Sequence, residues 1–240
     1  MRFLGDVIEW FTTADHWTGG AGAIHRLVEH VTMAGGSVLV AALIALPLGI
    51  WLGHTGRGGA VAINVSNIGR AVPSFAILVI AAQVVGIGWK PAFLALVVLA
   101  VPPMVTNAYV GVREVDADVR ESARGMGMTG TQSLFRVELP VALPLVMAGV
   151  RTAAVQVVAT ATLAALVAWG GLGRFIVDGI AQRDFVQVFA GAVLVAGLSI
   201  LTELALAGVQ RLIVPRGLRE RETGKNEPFT GLAVGELATE

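Results

Sequence analysis

The stretch REVDADVRESARGMGMTGTQSLFRVELPVALP, Arg113–Pro144, is the one long polar passage between apolar runs in this chain, and its reading decides the fold. Two helical signals lie inside it. Asp116 and Asp118 stand where a carboxylate caps a helix and meets the positive end of its dipole. Val119, Ala123 and Met126 follow at i, i+4 and i+7 and form one apolar stripe. Gly125 and Gly127 then break the helix. Thr129 with Gln132 three residues on has the form of a capping box and predicts a second helix start. Leu134, Phe135 and Val137 give that helix apolar surface, and Leu139-Pro140 and Leu143-Pro144 are expected to end it. A helix–turn–helix that carries exposed apolar residues outside an apolar phase needs a surface to dock against.

Outward from this passage the chain is apolar in both directions. Of 240 residues 55% are hydrophobic and 14% charged, against about 25% charged in a soluble domain. The charges cluster and leave uncharged windows at Val31–Leu52, Val72–Ile87, Pro91–Val110 and Thr152–Trp169, and a further apolar window, Phe185–Ile213, interrupted by Glu203. Each is near the ~20 residues that a helix needs to cross about 30 Å of hydrocarbon. None is a short run of alternating polarity, as a barrel strand is. The expectation is an all-α integral membrane protein of about five transmembrane helices. Recurrent glycines within the windows (Gly35, Gly36, Gly49, Gly149, Gly191 and Gly197) suit a closely packed bundle.

With the 111–144 loop placed in the cytoplasm, the inner segments hold most of the 17 lysines and arginines. The N-terminus is then outside and the C-terminus inside. Trp51, Trp89, Tyr109 and Trp169 fall where a span meets an interface. Residues 1–30 read as an extracytoplasmic amphipathic segment, with Phe3, Val7, Trp10 and Phe11 on one side of a surface helix. Residues 31–215 form the transmembrane domain and 216–240 a polar cytoplasmic tail. The expected location is the plasma or inner membrane of a prokaryote.

The absence of cysteine excludes disulfide frameworks and thiolate metal sites. His16, His25, His30 and His54 lie outside the windows or at their edges, and none stands at ligand spacing from acids, so neither a metal site nor a catalytic residue is expected. Glu203 is the one clear acid inside a window; it reads as a structural acid, with Arg151 or Arg211 in reach, rather than an ion relay. No phosphate-binding loop of the form G-x-x-x-x-G-K-[ST] is present. No nucleic-acid partner is expected.

Glu121-Ser122-Ala123, then Gly127, then Val137-Glu138-Leu139-Pro140, resembles the "EAA" loop of ATP-binding-cassette importer permeases: E-A-A, three residues, G, nine residues, I-x-L-P. Ser122 and Val137 are the only departures. Further likeness, in Arg70-Ala71-Val72-Pro73-Ser74-Phe75, in Met147–Thr152 and in Thr160–Ala165 with Gly170-Gly171-Leu172-Gly173, is to the glycine betaine, carnitine and choline branch. The resemblance implies type I importer permease architecture. It implies that Glu121, Ser122, Ala123, Gly127, Val137, Leu139 and Pro140 form the element that couples to the ATPase subunit. The partners it implies are that ATPase, a second permease copy or related permease, an extracellular substrate-binding protein and membrane lipid. ATP is then bound by the partner, and this chain holds no cofactor. The spans are poor in aromatics, so a cage for a quaternary ammonium is not expected within them. Ser74, Gln83, Asn107, Gln156, Thr160 and Thr162 are the candidates to line a weakly polar pathway. A permease for another small amine or amino acid, or an ion-coupled secondary transporter, are the alternatives.

Overall fold

The computed structural model describes residues 2–214, apart from the side chains of Val65 and Arg70. The expected tail, 216–240, lies outside the described residues. All regular elements among the described residues are helical. They are α1 (Arg2–Thr12), α2 (Ala23–Thr55), α3 (Gly59–Ala71), α4 (Ser74–Val85), α5 (Trp89–Arg113), α6 (Ala117–Gly125), α7 (Gly130–Ser133), α8 (Leu139–Thr160), α9 (Gly173–Gln182) and α10 (Phe185–Ile213). A π-helical segment, Leu134–Glu138, joins α7 to α8, and a 3-10 segment, Ala161–Val167, continues α8.

Four helical runs are long and apolar enough to cross a membrane: α2, α5, the run Gly130–Val167 and α10. A fifth candidate is the pair α3 and α4, which pass the same test only together and bend by 88° at their junction, as a broken span or a re-entrant loop does. The sequence window Val72–Ile87 therefore corresponds to one arm of a bent pair, not a straight crossing helix. Its 12-residue helix α4 is about 18 Å long, too short to cross alone. The break is local chemistry: Pro73 excludes the helical region for the residue before it, and Val72 is extended at φ −73°, ψ 125°.

Two further boundaries differ from the windows. α2 starts at Ala23, not Val31, and its 33 residues amount to about 50 Å, so its ends reach past the hydrocarbon. The window Thr152–Trp169 holds only the second half of its helix. Leu139-Pro140 and Leu143-Pro144 do not end the preceding helix: both prolines sit inside the run Gly130–Val167. Pro140 has no N–H, and its ring would clash with a carbonyl one turn back. The turn before it is widened to π, with Leu139 N–H donating to the Leu134 carbonyl. Arg151 consequently lies in mid-helix and not at a span's edge.

The centre of the bundle is α2 against α5 against α8, and small side chains make it close. Ala34, Ala41, Ala45, Ala95, Ala100 and Ala153 are buried together with Met104 and Val157. Between α2 and α5 the approach requires glycine. A Cβ on Gly53 would stand 2.7 Å from the Tyr109 carbonyl, and one on Gly49 2.7 Å from the Val105 carbonyl. Large apolar side chains such as Leu43, Val84, Leu201 and Leu204 point outward, as they do when lipid is the solvent.

α10 covers α8 and α9. α1 lies at the end of the bundle opposite the 114–133 loop, packed on α9 and α10. Trp10 is buried edge-on against Phe175, at 5.4 Å between ring centroids, and Phe3 meets Phe189 at 5.6 Å. The N-terminal segment thus includes a helix with Val7 and Trp10 covered by protein and Phe3 left exposed.

Candidate functional site

The polar loop folds as two helical pieces around one turn. Asp116 caps α6 by accepting from the Asp118 N–H at 3.0 Å. The Arg120 guanidinium donates to the carbonyls of Val112 and Arg113 and so ties α6 back to the end of α5. Ala123 is buried beneath the helix, whereas Val119 and Met126 of the same apolar stripe are exposed, at 41% and 71%. The turn needs glycine: Gly127 has φ +81°. No atom lies within 4 Å of where its Cβ would be, so the surface there is open. The capping box is complete, with Thr129 N–H to Gln132 Oε1 at 2.9 Å and Gln132 N–H to Thr129 Oγ1 at 3.3 Å.

Of the residues assigned to coupling, Glu121, Ser122 and Gly127 are on the surface and Ala123 is beneath it. Val137, Leu139 and Pro140 are half-buried at the junction of the π segment with α8. The exposed face of the loop combines Met126, Phe135 and Val119 with a cleft lined by Arg113, Arg120, Glu121 and Arg124. It offers both apolar and charged contact to another protein.

Behind the loop stands a group that spacing alone does not reveal. Glu138 is 2% exposed. Its Oε1 accepts from the Ser133 hydroxyl at 2.9 Å, and its Oε2 lies 2.8 Å from Nδ1 of His54, at the end of α2. Expected as a histidine without an acid partner, His54 finds one 84 residues away in the chain. Among the described residues no three potential ligands gather as a metal site.

A second feature lies at the α3–α4 break. A cavity of about 220 Å³ is lined by Gly69, Pro73, Ser74, Pro102, Gln156 and Thr160, with Ala71, Val72 and Leu99. It lies below the ~300–1,000 Å³ typical of drug-sized pockets. Pro102 and Pro103 have no N–H, which frees the carbonyls of Val98 and Leu99 from the α5 ladder. Three of the six pathway candidates, Ser74, Gln156 and Thr160, converge here. The other three do not. Gln83 is exposed near the end of α4, the Asn107 amide donates to the Pro103 carbonyl of its own helix at 2.8 Å, and Thr162 donates to the Ala159 carbonyl at 2.8 Å.

Two further polar networks bind the helices. At the end opposite the loop, Glu29 accepts from the Gly171 N–H at 2.8 Å and is paired with Arg26. The neighbouring His30, 1% exposed, accepts at Nδ1 from the Leu172 N–H (3.2 Å) and donates from Nε2 to the Val158 carbonyl (2.8 Å). Together they fasten the turn after the 3-10 segment to α2. Near the loop end, Arg151 of α8 pairs with Glu203 of α10 and donates to Gln210 at 2.6 Å. Of the two arginines expected in reach of Glu203, Arg151 forms an ion pair with it. Arg151 and Glu203 were legible as possible neighbours because Arg151 borders one apolar window and Glu203 interrupts another. His30 and Glu138 carried no such signal.

Relatives bear on this arrangement. Residues 45–217 match the family model described as "Binding-protein-dependent transport system inner membrane component". The chain is 36% identical over 202 residues, 84% of its length and 93% of the relative's, to the choline transport system permease protein OpuBB of Bacillus subtilis (strain 168). It is 35% identical over the same coverage to the glycine betaine/carnitine/choline transport system permease protein OpuCB of that organism. To the carnitine transport permease protein OpuCB of Listeria monocytogenes it is 36% identical over 196 residues, 82% of this chain and 90% of that one. Among solved structures, the inward-facing MetNI methionine ABC transporter superposes with TM-score 0.70 at 25% identity, over 80% of this chain and 96% of that one. A family model that covers most of the chain, close relatives of matching length and a shared helical architecture agree: this chain belongs to the binding-protein-dependent transport system inner membrane components, the permeases of ATP-binding-cassette importers.

Proposed function

We propose that this chain is the membrane permease of an ATP-driven importer for small osmoprotectants of the glycine betaine, carnitine and choline type. The observation that carries the coupling assignment is the exposed helix–turn–helix around Gly127, where Glu121, Ser122 and apolar residues stand open on an otherwise lipid-facing chain. The names of its relatives support the solute class.

The loop docks into an ATPase subunit, which binds and hydrolyses ATP. This chain itself holds no cofactor and performs no bond-breaking step. Two permeases, identical or related, face two ATPases, and an extracellular binding protein delivers the solute and supplies most of the selectivity. The loop and the C-terminus are cytoplasmic, and α1 with the 170–184 turn lies outside, in the plasma or inner membrane of a prokaryote. When the ATPase pair closes on ATP, the loops move and bias the bundle between two arrangements of the pathway. Ser74, Gln156 and Thr160 present weak polar contacts to a solute that must also leave. The Arg151–Glu203 pair is a poor ion relay, because each charge is already neutralised by the other.

The test is uptake of radiolabelled betaine, carnitine, choline and proline into proteoliposomes that hold the permease, its ATPase and its binding protein, with ATP inside and no ion gradient. ATP-driven accumulation of a quaternary ammonium solute is expected. Transport that ignores ATP and follows a proton or sodium gradient would refute the importer reading.

A further inference from the structure

We propose that Glu138 and His54 form a positioning link that makes α2 follow the coupling loop, so that one docking movement drives both α8 and the α2–α5 pair. This rests on the coupling role proposed for the loop.

The loop reaches the bundle by few routes. α6 hangs from the end of α5 through Arg120, and α7 runs into α8 through the π segment. Movement along the second route reaches α8, which already packs closely on α5 at Gly149 and Gly111, but its root at the loop meets α2 only if something joins the two there. Glu138 does that. It sits at the last position of the π segment, where the helix is widened ahead of Pro140. Its side chain turns inward and not toward the docking face. One oxygen holds Ser133 of α7 and the other holds His54 of α2. Because a carboxylate only accepts, the imidazole hydrogen is on Nδ1.

Past His54 the coupling is steric. Gly53 and Gly49 let α2 lie directly against the backbone of α5, at distances that exclude any side chain, so α2 and α5 have no slack between them. A push at the loop that passes through Glu138 is therefore delivered to three helices as one body. Without the hydrogen bond, α7 would pivot at the wide π turn, and its movement would reach α2 only indirectly, through the packing of α8 on α5.

The test uses the assembled permease–ATPase–binding-protein complex in proteoliposomes, and measures solute transported per ATP hydrolysed. His54→Ala is expected to assemble, to hydrolyse ATP, and to lose about fivefold or more in that ratio, the low end of ordinary coupling energies. His54→Asn places an amide nitrogen where Nδ1 stood and is expected to restore the ratio. A merely structural role would lower the amount of complex and not the ratio. His54→Ala with a wild-type ratio, or His54→Asn as poor as His54→Ala, overturns the link. A second measurement leaves the link intact. Cysteines introduced at exposed Thr55 and Thr131 of the cysteine-free chain carry spin labels. Their distance within one subunit is expected to be the same with and without ATP. A change on ATP binding overturns the link even if no variant assembles. Failure of the wild-type complex to use ATP for uptake would instead count against the importer reading, and is distinguished by the first arm.

Discussion

Arg151 and Glu203 show how one residue's meaning depends on its partner. A charged side chain within a span costs roughly 2.5–3.5 kcal/mol, and the pair is half-buried at the α8–α10 contact. Removing either partner leaves the other charge without its ion-pair partner, while removing both leaves no charge at the contact and Gln210 still able to donate to the Pro144 carbonyl. We expect Arg151→Met and Glu203→Leu each to lower the thermal stability of the purified complex, by about 1–2 kcal/mol after allowance for partial exposure. The double variant should recover most of the loss. Losses that simply add would show that the two charges do not act as a pair. The same reasoning explains why Glu138 and His30 were not legible. Each is an ordinary polar residue in sequence, and only the fold shows that Glu138 accepts two hydrogen bonds in the interior or that a single imidazole satisfies Leu172 N–H and Val158 C=O.

Among elements, the helix–turn–helix was read from local rules, and the structure places its Asp116 cap, Gly127 turn and Thr129–Gln132 capping box where those rules put them. These are short-range interactions, complete within four residues. What the rules mistook was the end of the second helix, because two Leu-Pro pairs read as stop signals, whereas the chain accommodates them by one wide π turn and continues. Gly127 lends itself to a test that separates backbone from bulk. Asn tolerates a left-handed φ and Trp does not. Gly127→Asn is expected to keep more than half of wild-type uptake. Gly127→Trp, which also fills the open space above the turn, is expected to insert in the membrane yet fail to copurify the ATPase. Equal copurification of the two variants would remove this turn from the docking surface.

At the scale of the whole molecule, the two ends of the bundle carry different segments. The structure puts α1 and the 170–184 turn at one end and the 114–133 loop at the other. The cytoplasmic side proposed for the loop end rests on the lysine and arginine bias. Single cysteines at Thr18 and Thr131, both exposed, check this with an impermeant thiol reagent. Labelling at position 18 in intact cells, and at 131 only after permeabilisation, is the expected pattern, and the reverse would invert the topology.

By itself the sequence determined that this is a helical membrane protein, because hydrocarbon demands long uncharged runs with all backbone groups bonded inside the helix. It also determined the local fold of the polar loop, because caps, turns and apolar stripes are written within a few neighbouring residues. Only the tertiary structure decided that the second expected span is bent at Val72-Pro73, and that Ser74, Gln156 and Thr160 share one cavity while Gln83, Asn107 and Thr162 stand apart from it. The same holds for the partners that Glu138, His30 and Arg151 find. In a span, most polar residues look alike in sequence. Which of them meet is settled by helix rotation and by the close approach that Gly49 and Gly53 allow, and those are relations between segments far apart in the chain.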